Sequence, residues 1–434
     1  MSFFKQALRS CLPKKLFKVL QPYYHGALAV AASYYYGRPG RGMTVIGVTG
    51  TAGKSSTVRM LAQILNRSQR VCGFITTISF HDGRTERLNR HGLSMPGGPL
   101  LQKQLQAMKA NGCQYAIVEC TSEGLAQNRH LGIPFSLALF TNLHPAHVEA
   151  HGSFEKYKQA KGKLFARLVG KDTAIVANLD DAQAEYFLQF PAAHKVGITR
   201  DAAKKFYQLE KVLVLTDVQA GEKLEFALEH TAFVLPLAGE FNAYNASLAA
   251  SAAEAVGVSL AASAQALRDF TGSAGRLEEI KAGQAFRVFV DYAPEPAGMA
   301  TALKALAALP HGQILHVFGS TGGHRDVGKR FEFGKISAQY ADRIFITNDD
   351  VYDSDPQKIA ADVATGIRQA APQKGFEIIL DRRAAIKTAL AQARAGDTVV
   401  ITGKGSEQFL VLPGNQRVPW DDRQVVRELL ASKG

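Results

Sequence analysis

The stretch from Val45 to Leu65 holds the residues whose types and spacing most directly indicate chemistry. A β-branched run is followed by glycines at 47, 50 and 53, by Lys54 and Ser55, and then by a segment with helical apolar periodicity. This order of strand, glycine-rich loop and helix is typical of a phosphate-binding P-loop. Backbone N–H groups of such a loop converge on phosphate oxygens, while Lys54 would reach the β- and γ-phosphates and Ser55 would offer its hydroxyl to Mg²⁺.

The strict P-loop pattern would place a glycine at Val48, where this chain has none. The loop is therefore a variant whose identity has to come from other motifs. An accidental glycine-rich turn is the alternative, but the strand, loop and helix signals all agree.

A second group of polar residues follows a short buried strand predicted at 114–119. That strand ends in the carboxylate of Glu119, and Thr121 and Ser122 come directly after it. Ligands of doubly wound α/β folds bind beyond the carboxyl ends of the strands, so these oxygens are placed for chemistry. In the alternative interpretation Glu119 only caps the following helix.

A third group lies in the loop after the strand predicted at 135–142. Three histidines and a glutamate occur there within eight residues: His144, His147, Glu149 and His151. This composition suggests a metal or phosphate neighbourhood, although exposed histidines on a polar turn are the commoner case. The helix predicted at 153–168 is rich in lysine, which by itself indicates only a solvated basic face.

The elements that must position these residues alternate between strand and helix, which predicts an α/β fold with mostly parallel sheets. In the first half, strands are predicted at 71–79, 114–119, 135–142 and 173–178, with antiparallel strands within 212–233. A second α/β unit follows, with strands at 286–291, 314–318, 343–347, 376–380 and 398–402. Glycine-rich breaks predict three parts, namely a short helical extension and linker at 1–42, a central P-loop domain at 43–273 and a Rossmann-like domain at 274–434.

Length, net charge and cysteine content narrow the class of protein to which the chain can belong. The chain has 434 residues, of which 46% are hydrophobic and 21% charged, as in soluble proteins of two or three domains. Its net charge of +13 is spread along the sequence, which favours phosphorylated or carboxylate substrates over a nucleic acid. The four cysteines form no Cys-x-x-Cys pair, so neither a zinc site nor a disulfide framework is expected, and a cytoplasmic location fits.

The N-terminal segment is basic before a mildly apolar stretch at 26–36. A helix that packs on the body of the protein is favoured there over a signal peptide, and a basic aromatic surface helix that touches a membrane is the remaining alternative. No run of eighteen apolar residues occurs, so stable membrane insertion is not expected. The oligomeric state is not determined by the sequence.

Several separated motifs agree with one known family, and the chain closely resembles the Mur ligases. The shared stretches are GVTGTAGKSST, VECTSEGLAQNR, FTNL, YKQAKGKLF, LAGEFNAYNASLAA, GRLE at 275–278, VDYAPEP, FGSTGGHRDVGKR, TNDD, DRRAAI and GKGSE. They run in the family's order over residues 43–434. The resemblance implies a central P-loop ATPase domain and a C-terminal Rossmann-like domain that brings the incoming amino acid.

The resemblance also implies a reaction. Mur ligases use ATP to activate a substrate carboxylate as an acyl phosphate, which the amine of an amino acid attacks to form an amide and ADP. ATP and two Mg²⁺ ions are therefore the expected cofactors, with a carbamylated lysine as an anionic oxygen ligand. The partners would be an amino acid and an acyl acceptor such as a UDP-sugar peptide.

Site residues are carried over from the family position by position. The residues matched to nucleotide binding are Thr51, Gly53, Lys54, Ser55, Ser56, Asn242, Asn245, Arg276 and Asp291. Ser55 and Glu119 would hold one Mg²⁺, while His147 and carbamylated Lys161 would serve the second; an unmodified surface lysine is the alternative at Lys161. Lys54, Glu119, His147, Lys161 and Arg276 form the expected catalytic set.

The substrate residues are likewise matched by resemblance. Thr121, Ser122 and Arg129 correspond to positions that grip the acyl substrate. On the amino-acid side the matched residues are Arg325, Asp349, Asp350, Gly403 and Glu407, with Arg325 expected to clamp the carboxylate. A generic basic loop is the alternative around Arg325.

Departures from the family pattern narrow the expected substrates. Members specific for diaminopimelate carry Asp-Asn-Pro-Arg where this chain has residues 349–352 as Asp-Asp-Val-Tyr, so the sequence does not support diaminopimelate. Only 42 residues precede the P-loop domain in this sequence, too few for the family's UDP-binding domain. We therefore expect that domain to be missing and the acceptor to lack a UDP-sugar or to be held differently.

The leading hypothesis is an ATP-dependent acid–amino-acid ligase that acts in peptidoglycan stem-peptide synthesis. A ligase for another acceptor, of the folylpolyglutamate, poly-γ-glutamate or cyanophycin type, is the first alternative. Replacement of family histidines by Glu123, Pro294 and Ser406 motivates a second one, a nucleotide-binding scaffold without catalysis. A P-loop protein that acts on nucleic acid is motivated only by the net charge.

Overall fold

The computed structural model describes residues 14–91, 94–145, 148–204, 209–323 and 327–432. The chain divides into two compact units. The first unit comprises residues up to 216 together with 227–233 and 243–267, and the second comprises 217–226, 234–242 and 268–434.

Eleven strands of the first 240 residues belong to one sheet. Their bounds are β1 Thr44–Thr49, β2 Cys72–Ile75, β3 Ser79–His81, β4 Glu86–Leu88, β5 Tyr115–Glu119, β6 Phe135–Phe140, β7 Ala174–Asn178, β8 His194–Thr199, β9 Lys211–Ala220, β10 Leu224–Leu228 and β11 Thr231–Leu235. The helices up to residue 267 are α1 Lys14–Tyr35, α2 Lys54–Arg67, α3 Gly98–Ala110, α4 Ser122–Ala126, α5 Val148–His151, α6 Phe154–Phe165, α7 Ala184–Leu188, α8 Phe241–Glu254 and α9 Leu260–Leu267.

The order of this sheet is β11-β10-β9-β8-β7-β6-β1-β5-β2-β3-β4, which places β1 near the middle between β5 and β6. Both neighbours run parallel to β1, with Val48 opposite Glu119 and Thr49 opposite Phe140. The carboxyl ends of the three strands therefore meet at one edge, where ligands of such sheets bind. Helices α3 and α6 bury apolar faces against this sheet through residues such as Leu101, Leu105, Leu164 and Phe165.

The continuous strand predicted at 71–79 is wrong. The chain forms β2, turns at residues 76–78, and returns as the antiparallel strand β3, with Phe74 opposite His81. The Thr76 hydroxyl explains the turn because it accepts hydrogen bonds from the backbone N–H groups of Ile78 and Ser79, at 3.2 and 2.9 Å. A threonine side chain that satisfies the backbone in this way competes with strand extension.

The second unit is built on a six-stranded sheet of order β12-β13-β17-β14-β15-β16, which is parallel except for β12. The bounds are β12 Glu278–Glu279, β13 Arg287–Asp291, β14 Ile314–Phe318, β15 Arg343–Ile346, β16 Phe376–Ile378 and β17 Thr398–Thr402, with a separate hairpin of β18 Phe409–Leu412 and β19 Gln416–Pro419. Its helices are α10 Pro296–Ala307, α11 Gly328–Tyr340, α12 Pro356–Ala370, α13 Arg382–Gln392 and α14 Asp422–Ala431.

Helices cover both faces of this second sheet. Because side chains alternate along a strand, Phe289 of β13 lies in one apolar cluster while Val288 and Val290 lie in the other. Buried on both faces, these strands are continuous apolar runs, which is why they were predictable. Strands β4, β8, β12, β18 and β19 were not predicted.

Within the described residues, no helix is long and apolar enough to cross a membrane.

Candidate active site

The glycine-rich loop leaves the carboxyl end of β1 and leads directly into α2. Gly53 precedes the helix in a left-handed conformation, with φ of 81°, and no side chain caps the helix there. A Cβ atom at this position would lie 2.3 Å from Oδ1 of Asn245, so glycine is required both by conformation and by space. The start of α2 therefore presents backbone N–H groups and the positive end of the helix dipole, as anion sites do.

Lys54 and Thr51 hold this loop in shape. The Lys54 amine donates to the carbonyl oxygens of Gly50 and Thr51, both at 3.0 Å. The Thr51 hydroxyl lies 3.0 Å from the Tyr157 hydroxyl and accepts from the backbone N–H of His144 at 3.0 Å. Ser56, the remaining residue matched to nucleotide binding in this stretch, lies half-buried in the first turn of α2.

Ser55 and Glu119 face each other across the sheet edge. The Ser55 hydroxyl donates to the Glu119 carboxylate at 2.8 Å, and both residues are buried. The same carboxylate accepts from the backbone N–H and the hydroxyl of Thr77, each at 2.8 Å. Sequence reasoning missed Thr77; its position just after a strand, at the edge that carries Glu119, is the signal that could have found it. Hydroxyl and carboxylate oxygens at one point are the hard ligands that Mg²⁺ prefers, so the donor set fits this ion.

Lys161 of α6 reaches the same loop. Its side chain is 1% exposed, and its amine donates to the Gly50 carbonyl oxygen at 2.7 Å. The amine also lies 4.6 Å from the centroid of the Tyr157 ring. Burial lowers the pKa of Lys161 well below its ordinary value, and the nearby charge of Lys54 lowers it further. The structure thus holds a buried lysine biased toward its neutral form beside the predicted phosphate site.

His147 lies outside the described residues, so the fourth residue matched to metal binding is not placed. Among the residues that the structure describes, no group of three histidine, cysteine, aspartate or glutamate side chains could hold a metal ion. The predicted metal-binding set is of a different kind, because Ser55 and Lys161 are none of these four residue types.

The residues matched to the acyl substrate lie around the short helix α4. Thr121 caps it, its hydroxyl accepting from the Gly124 N–H at 3.3 Å, and Ser122 follows with its hydroxyl 3.1 Å from Nε2 of His151. Burial lowers the pKa of this histidine, which favours the neutral ring. The short helix α5 thus brings His151 to the residues matched to the acyl substrate. The sequence alone did not distinguish His151 from the other histidines of its loop.

Arg129 is buried next to this group. Its guanidinium donates to Oε1 of Gln127, at 3.0 and 2.7 Å, and to the carbonyl oxygen of Met95. Burial lowers the pKa of Arg129. The contacts fix the guanidinium plane, which is the property that bidentate recognition of a carboxylate or phosphate needs.

The residues matched to nucleotide binding outside the loop are distributed over both units. Asn245 of α8 is buried against Gly53 and lies 3.4 Å from the Thr57 hydroxyl, through its Oδ1 atom. In the second unit, the Asn242 amide donates to the Ala238 carbonyl oxygen at 2.9 Å.

Arg276 and Asp291 lie together in the second unit. The Arg276 guanidinium lies 4.6 Å from the centroid of the Tyr292 ring. Asp291 ends β13, and its carboxylate accepts from the backbone N–H of Leu277 at 2.6 Å. Burial raises the pKa of Asp291, while the charge of Arg276 opposes that rise.

A buried group of charges lies where β15 and β17 end. Lys404, 1% exposed, donates to carboxylate oxygens of Asp350 at 2.8 Å and of Glu407 at 2.5 Å. Burial alone would lower the pKa of this lysine, but the carboxylates of Asp349, Glu407 and Asp350 outweigh it and raise the pKa. Gly403 approaches Asp349 so closely that a Cβ atom would lie 2.5 Å from its carboxylate. Of the four matched substrate residues in this group, three are acids that surround Lys404. Lys404 itself was not among the predicted site residues.

A buried ion pair lies next to this group of charges. Arg382 and Asp422 both have fully buried side chains and are joined by two hydrogen bonds, at 2.8 and 2.7 Å. Arg382 also donates to the backbone carbonyl oxygens of Asn348 and Thr402, at 3.1 and 2.9 Å. It therefore ties together the ends of the two loops that carry Asp349 and Gly403. Arg325 lies outside the described residues.

The fold and the loop together define a P-loop α/β protein whose glycine-rich loop lies at the edge of its central sheet. Residues 48–253 match the Mur ligase middle domain, and residues 275–405 match the Mur ligase glutamate ligase domain. The chain belongs to the Mur ligase family, whose members are ATP-dependent, ADP-forming ligases.

Individual relatives agree with this assignment. The chain is 35% identical over 424 residues to a UDP-N-acetylmuramyl-tripeptide synthetase of Roseiflexus sp. (strain RS-1), covering 94% of this chain and 82% of the relative. A solved UDP-N-acetylmuramoyl-L-alanyl-D-glutamate--2,6-diaminopimelate ligase is 29% identical, with a TM-score of 0.60 over 91% of this chain and 79% of that one. The folylpolyglutamate synthase of Mycobacterium tuberculosis, solved with ADP and AMPPCP, shares the fold at 20% identity, with a TM-score of 0.67 over 90% of this chain and 96% of that one.

Proposed function

We propose that this protein is an ATP-dependent ligase that adds an amino acid to the free carboxylate of a peptidoglycan-precursor peptide through an acyl phosphate. The observation that carries the proposal is the convergence of Lys54, Lys161 and the Ser55–Glu119 pair on one glycine-rich loop. Similarity to the tripeptide synthetase of Roseiflexus supports the peptidoglycan-type acceptor.

The first step is attack by the acceptor carboxylate on the γ-phosphorus of ATP, which releases ADP and leaves a mixed acyl phosphate. Negative charges meet in this step, so the protein has to supply positive charge and fixed dipoles. Lys54, with Thr51, Gly53, Ser55 and Ser56 at the start of α2, is proposed to hold the β- and γ-phosphates. Ser55 and Glu119 would hold Mg²⁺, which neutralises phosphate charge when bound.

Lys161 is proposed to act as a carbamate. A neutral lysine amine adds to the carbon of CO₂: an N–C bond forms, one C–O π bond breaks with its electron pair moving to oxygen, and the nitrogen loses one proton to solvent. The product is an anionic oxygen ligand. The lowered pKa of the buried Lys161 favours the neutral amine that this addition needs. The product would place carboxylate-like oxygens at the phosphate loop, where His147 is proposed to join them around a second Mg²⁺.

In the second step the amine of the incoming amino acid attacks the acyl carbon, an amide forms, and inorganic phosphate leaves. Thr121, Ser122 and Arg129 are proposed to hold the acyl substrate. Arg276, Asp291, Asn242 and Asn245 are proposed to contact the nucleotide.

The amino acid is proposed to bind at the charged group of the second unit, through Arg325, Asp349, Asp350, Gly403 and Glu407. Tyr352 stands where diaminopimelate-specific relatives have the arginine that reads the distal carboxylate. Diaminopimelate is therefore not the amino acid that we propose, even though relatives carry that name.

The test is ADP and phosphate release from ATP with UDP-activated and UDP-free muramoyl dipeptides, each combined with a panel of amino acids. We expect release to require one acceptor and one amino acid together, and to disappear in Lys54→Ala. Release only with folate or polyglutamate acceptors would show that the acceptor belongs to that class and is not a peptidoglycan precursor. No stimulation by any pair, with nucleotide binding intact, would leave the catalytically inactive scaffold as the better description.

A further inference from the structure

Helix α1 exposes an unusual amount of apolar surface. Seven of the eleven large apolar side chains that are exposed among the described residues lie on this one helix. Their exposed fractions are 62% for Val19, 43% for Leu20, 72% for Tyr23, 36% for Leu28, 38% for Val30, 62% for Tyr34 and 84% for Tyr35. Scattered single apolar residues are normal on a protein surface, whereas a contiguous set marks an interaction site.

These side chains all lie on one half of the helix circumference. With about 100° of rotation per residue, Val19, Tyr23, Val30 and Tyr34 fall within a narrow arc on one side. Residues Ala29, Ala32 and Ser33 lie on the other half and are buried. We call the exposed half, with its seven apolar side chains, the α1 stripe.

The buried side of α1 packs against the rest of the first unit. Gly98 of α3 lies so close to α1 that a Cβ atom there would meet Cβ of Ala29 at 2.4 Å. The Ser33 hydroxyl donates to the Gly132 carbonyl oxygen at 3.1 Å, and the Asn128 amide donates to the Pro22 carbonyl oxygen at 3.4 Å. The α1 stripe is therefore displayed outward by a helix that is already ordered.

The charged residues of the N-terminal segment have one sign only. Residues 1–42 contain seven lysines and arginines and no aspartate or glutamate, and the first acidic residue of the whole chain is Asp82. Lys14, Lys15 and Lys18 lie at the beginning of α1, and Arg38 follows its end, with its guanidinium 4.1 Å from the centroid of the Tyr34 ring. Such a segment attracts a surface with negative charge.

We propose that α1 docks the protein reversibly onto the surface of a lipid bilayer that contains anionic lipids. Helices that lie in the bilayer interface present apolar and aromatic residues to the acyl boundary and lysines or arginines to the headgroups. Protein–protein interfaces instead carry about one hydrogen bond per 100–200 Å². The α1 stripe offers only tyrosine hydroxyls for that purpose, which favours lipid over a protein partner or a second copy of this chain. The proposal does not rest on the ligase function.

The experiment is vesicle flotation of the full chain. Phosphatidylcholine vesicles with and without phosphatidylglycerol are compared at low and high salt, using the triple variant Tyr23→Gln/Val30→Ser/Tyr34→Gln. The matched control, Val71→Ser/Val169→Ser/Ile378→Ser, removes exposed apolar groups elsewhere. We expect the wild type and the control to float with phosphatidylglycerol vesicles, high salt to release them, and the triple variant to bind at least about tenfold more weakly.

Three results would overturn the proposal. They are absence of flotation by the wild type, equal flotation of the triple variant, and a wild-type dimer in light scattering that the triple variant abolishes. Should the triple variant unfold, a dye on Cys11→Ser/Tyr34→Cys provides an independent measurement, since the other cysteines are buried. Its emission should shift to the blue when phosphatidylglycerol vesicles are added, and an unchanged spectrum would contradict docking.

Discussion

The amine of Lys161 lies 2.7 Å from the carbonyl oxygen of Gly50, although 111 residues separate the two along the chain. A lysine from the helix after the histidine loop is thereby fixed at the predicted phosphate loop. Because the lysine is buried next to Lys54, its charged form is disfavoured. This relationship makes the proposed carbamate testable.

Replacing Lys161 by alanine should lower ligase turnover by about a hundredfold or more, since it would remove a proposed metal ligand. Added formate or acetate should restore part of the activity by supplying carboxylate oxygens in the vacated space. Lys156→Ala, on an exposed position of the same helix, is the matched control and should keep wild-type turnover. Unaltered activity in Lys161→Ala would remove the carbamate from the mechanism.

Glu119→Gln should raise the Mg²⁺ concentration needed for half-maximal activity by about tenfold or more, because an amide is a weaker ligand than a carboxylate. The measurement is a Mg²⁺ titration of ADP release at saturating ATP. Glu185→Gln removes the same charge from an exposed position in the same unit and should leave the titration unchanged. A Glu119→Gln curve that coincides with the wild type would place the ion elsewhere.

Substitutions of the adjacent residues Arg382 and Arg383 should destabilise the protein to very different extents. Arg382→Met should cost about 3–5 kcal/mol of unfolding free energy, because it leaves the fully buried carboxylate of Asp422 without its partner. Arg383 pairs with Glu428 at 2.7 Å, but both side chains are nearly half exposed, so Arg383→Met should cost about 1 kcal/mol or less. Urea denaturation of the two variants makes the comparison, and similar losses would refute it.

His316 should make the protein less stable in acid. Burial, with a contribution from Arg382, lowers the pKa of His316 to about 3, and its ring lies within hydrogen-bonding distance of Ser337 and Thr402. The unfolded chain binds a proton below its ordinary pKa of about 6.5 while the folded ring stays neutral, so stability falls as the pH drops from about 6.5 toward 3. By pH 5 this contribution is about 2 kcal/mol.

The measurement is the unfolding free energy of His316→Gln and of the wild type at pH 7 and pH 5. The loss on acidification should be about 2 kcal/mol smaller in the variant, because glutamine does not titrate. His311→Gln, at an exposed position, is the control and should keep the wild-type pH dependence. Parallel losses in all three proteins would assign the acid sensitivity to other groups.

Much of the fold was predictable because its signals are local. The strands at 114–119, 135–142, 173–178, 314–318 and 398–402 are short apolar runs, buried in the structure, and each is observed within two residues of its expected bounds. The prediction failed at 71–79, where a single threonine hydroxyl redirects the backbone. Strand β19 was missed because its residues are mostly exposed and show no apolar pattern, whereas β18 is a run of only four apolar residues, too short to indicate a strand by itself.

The sequence by itself determined the family and the phosphate loop, because both depend on short ordered motifs whose residues act with their immediate neighbours. Only the tertiary structure decided which distant groups meet. It set Ser55 beside Glu119 through the parallel register of β1 and β5, joined Arg382 to Asp422, and left the apolar face of α1 exposed rather than buried. Register, burial and pKa depend on contacts between residues far apart in the chain, and a pattern of neighbours along the sequence does not contain that information.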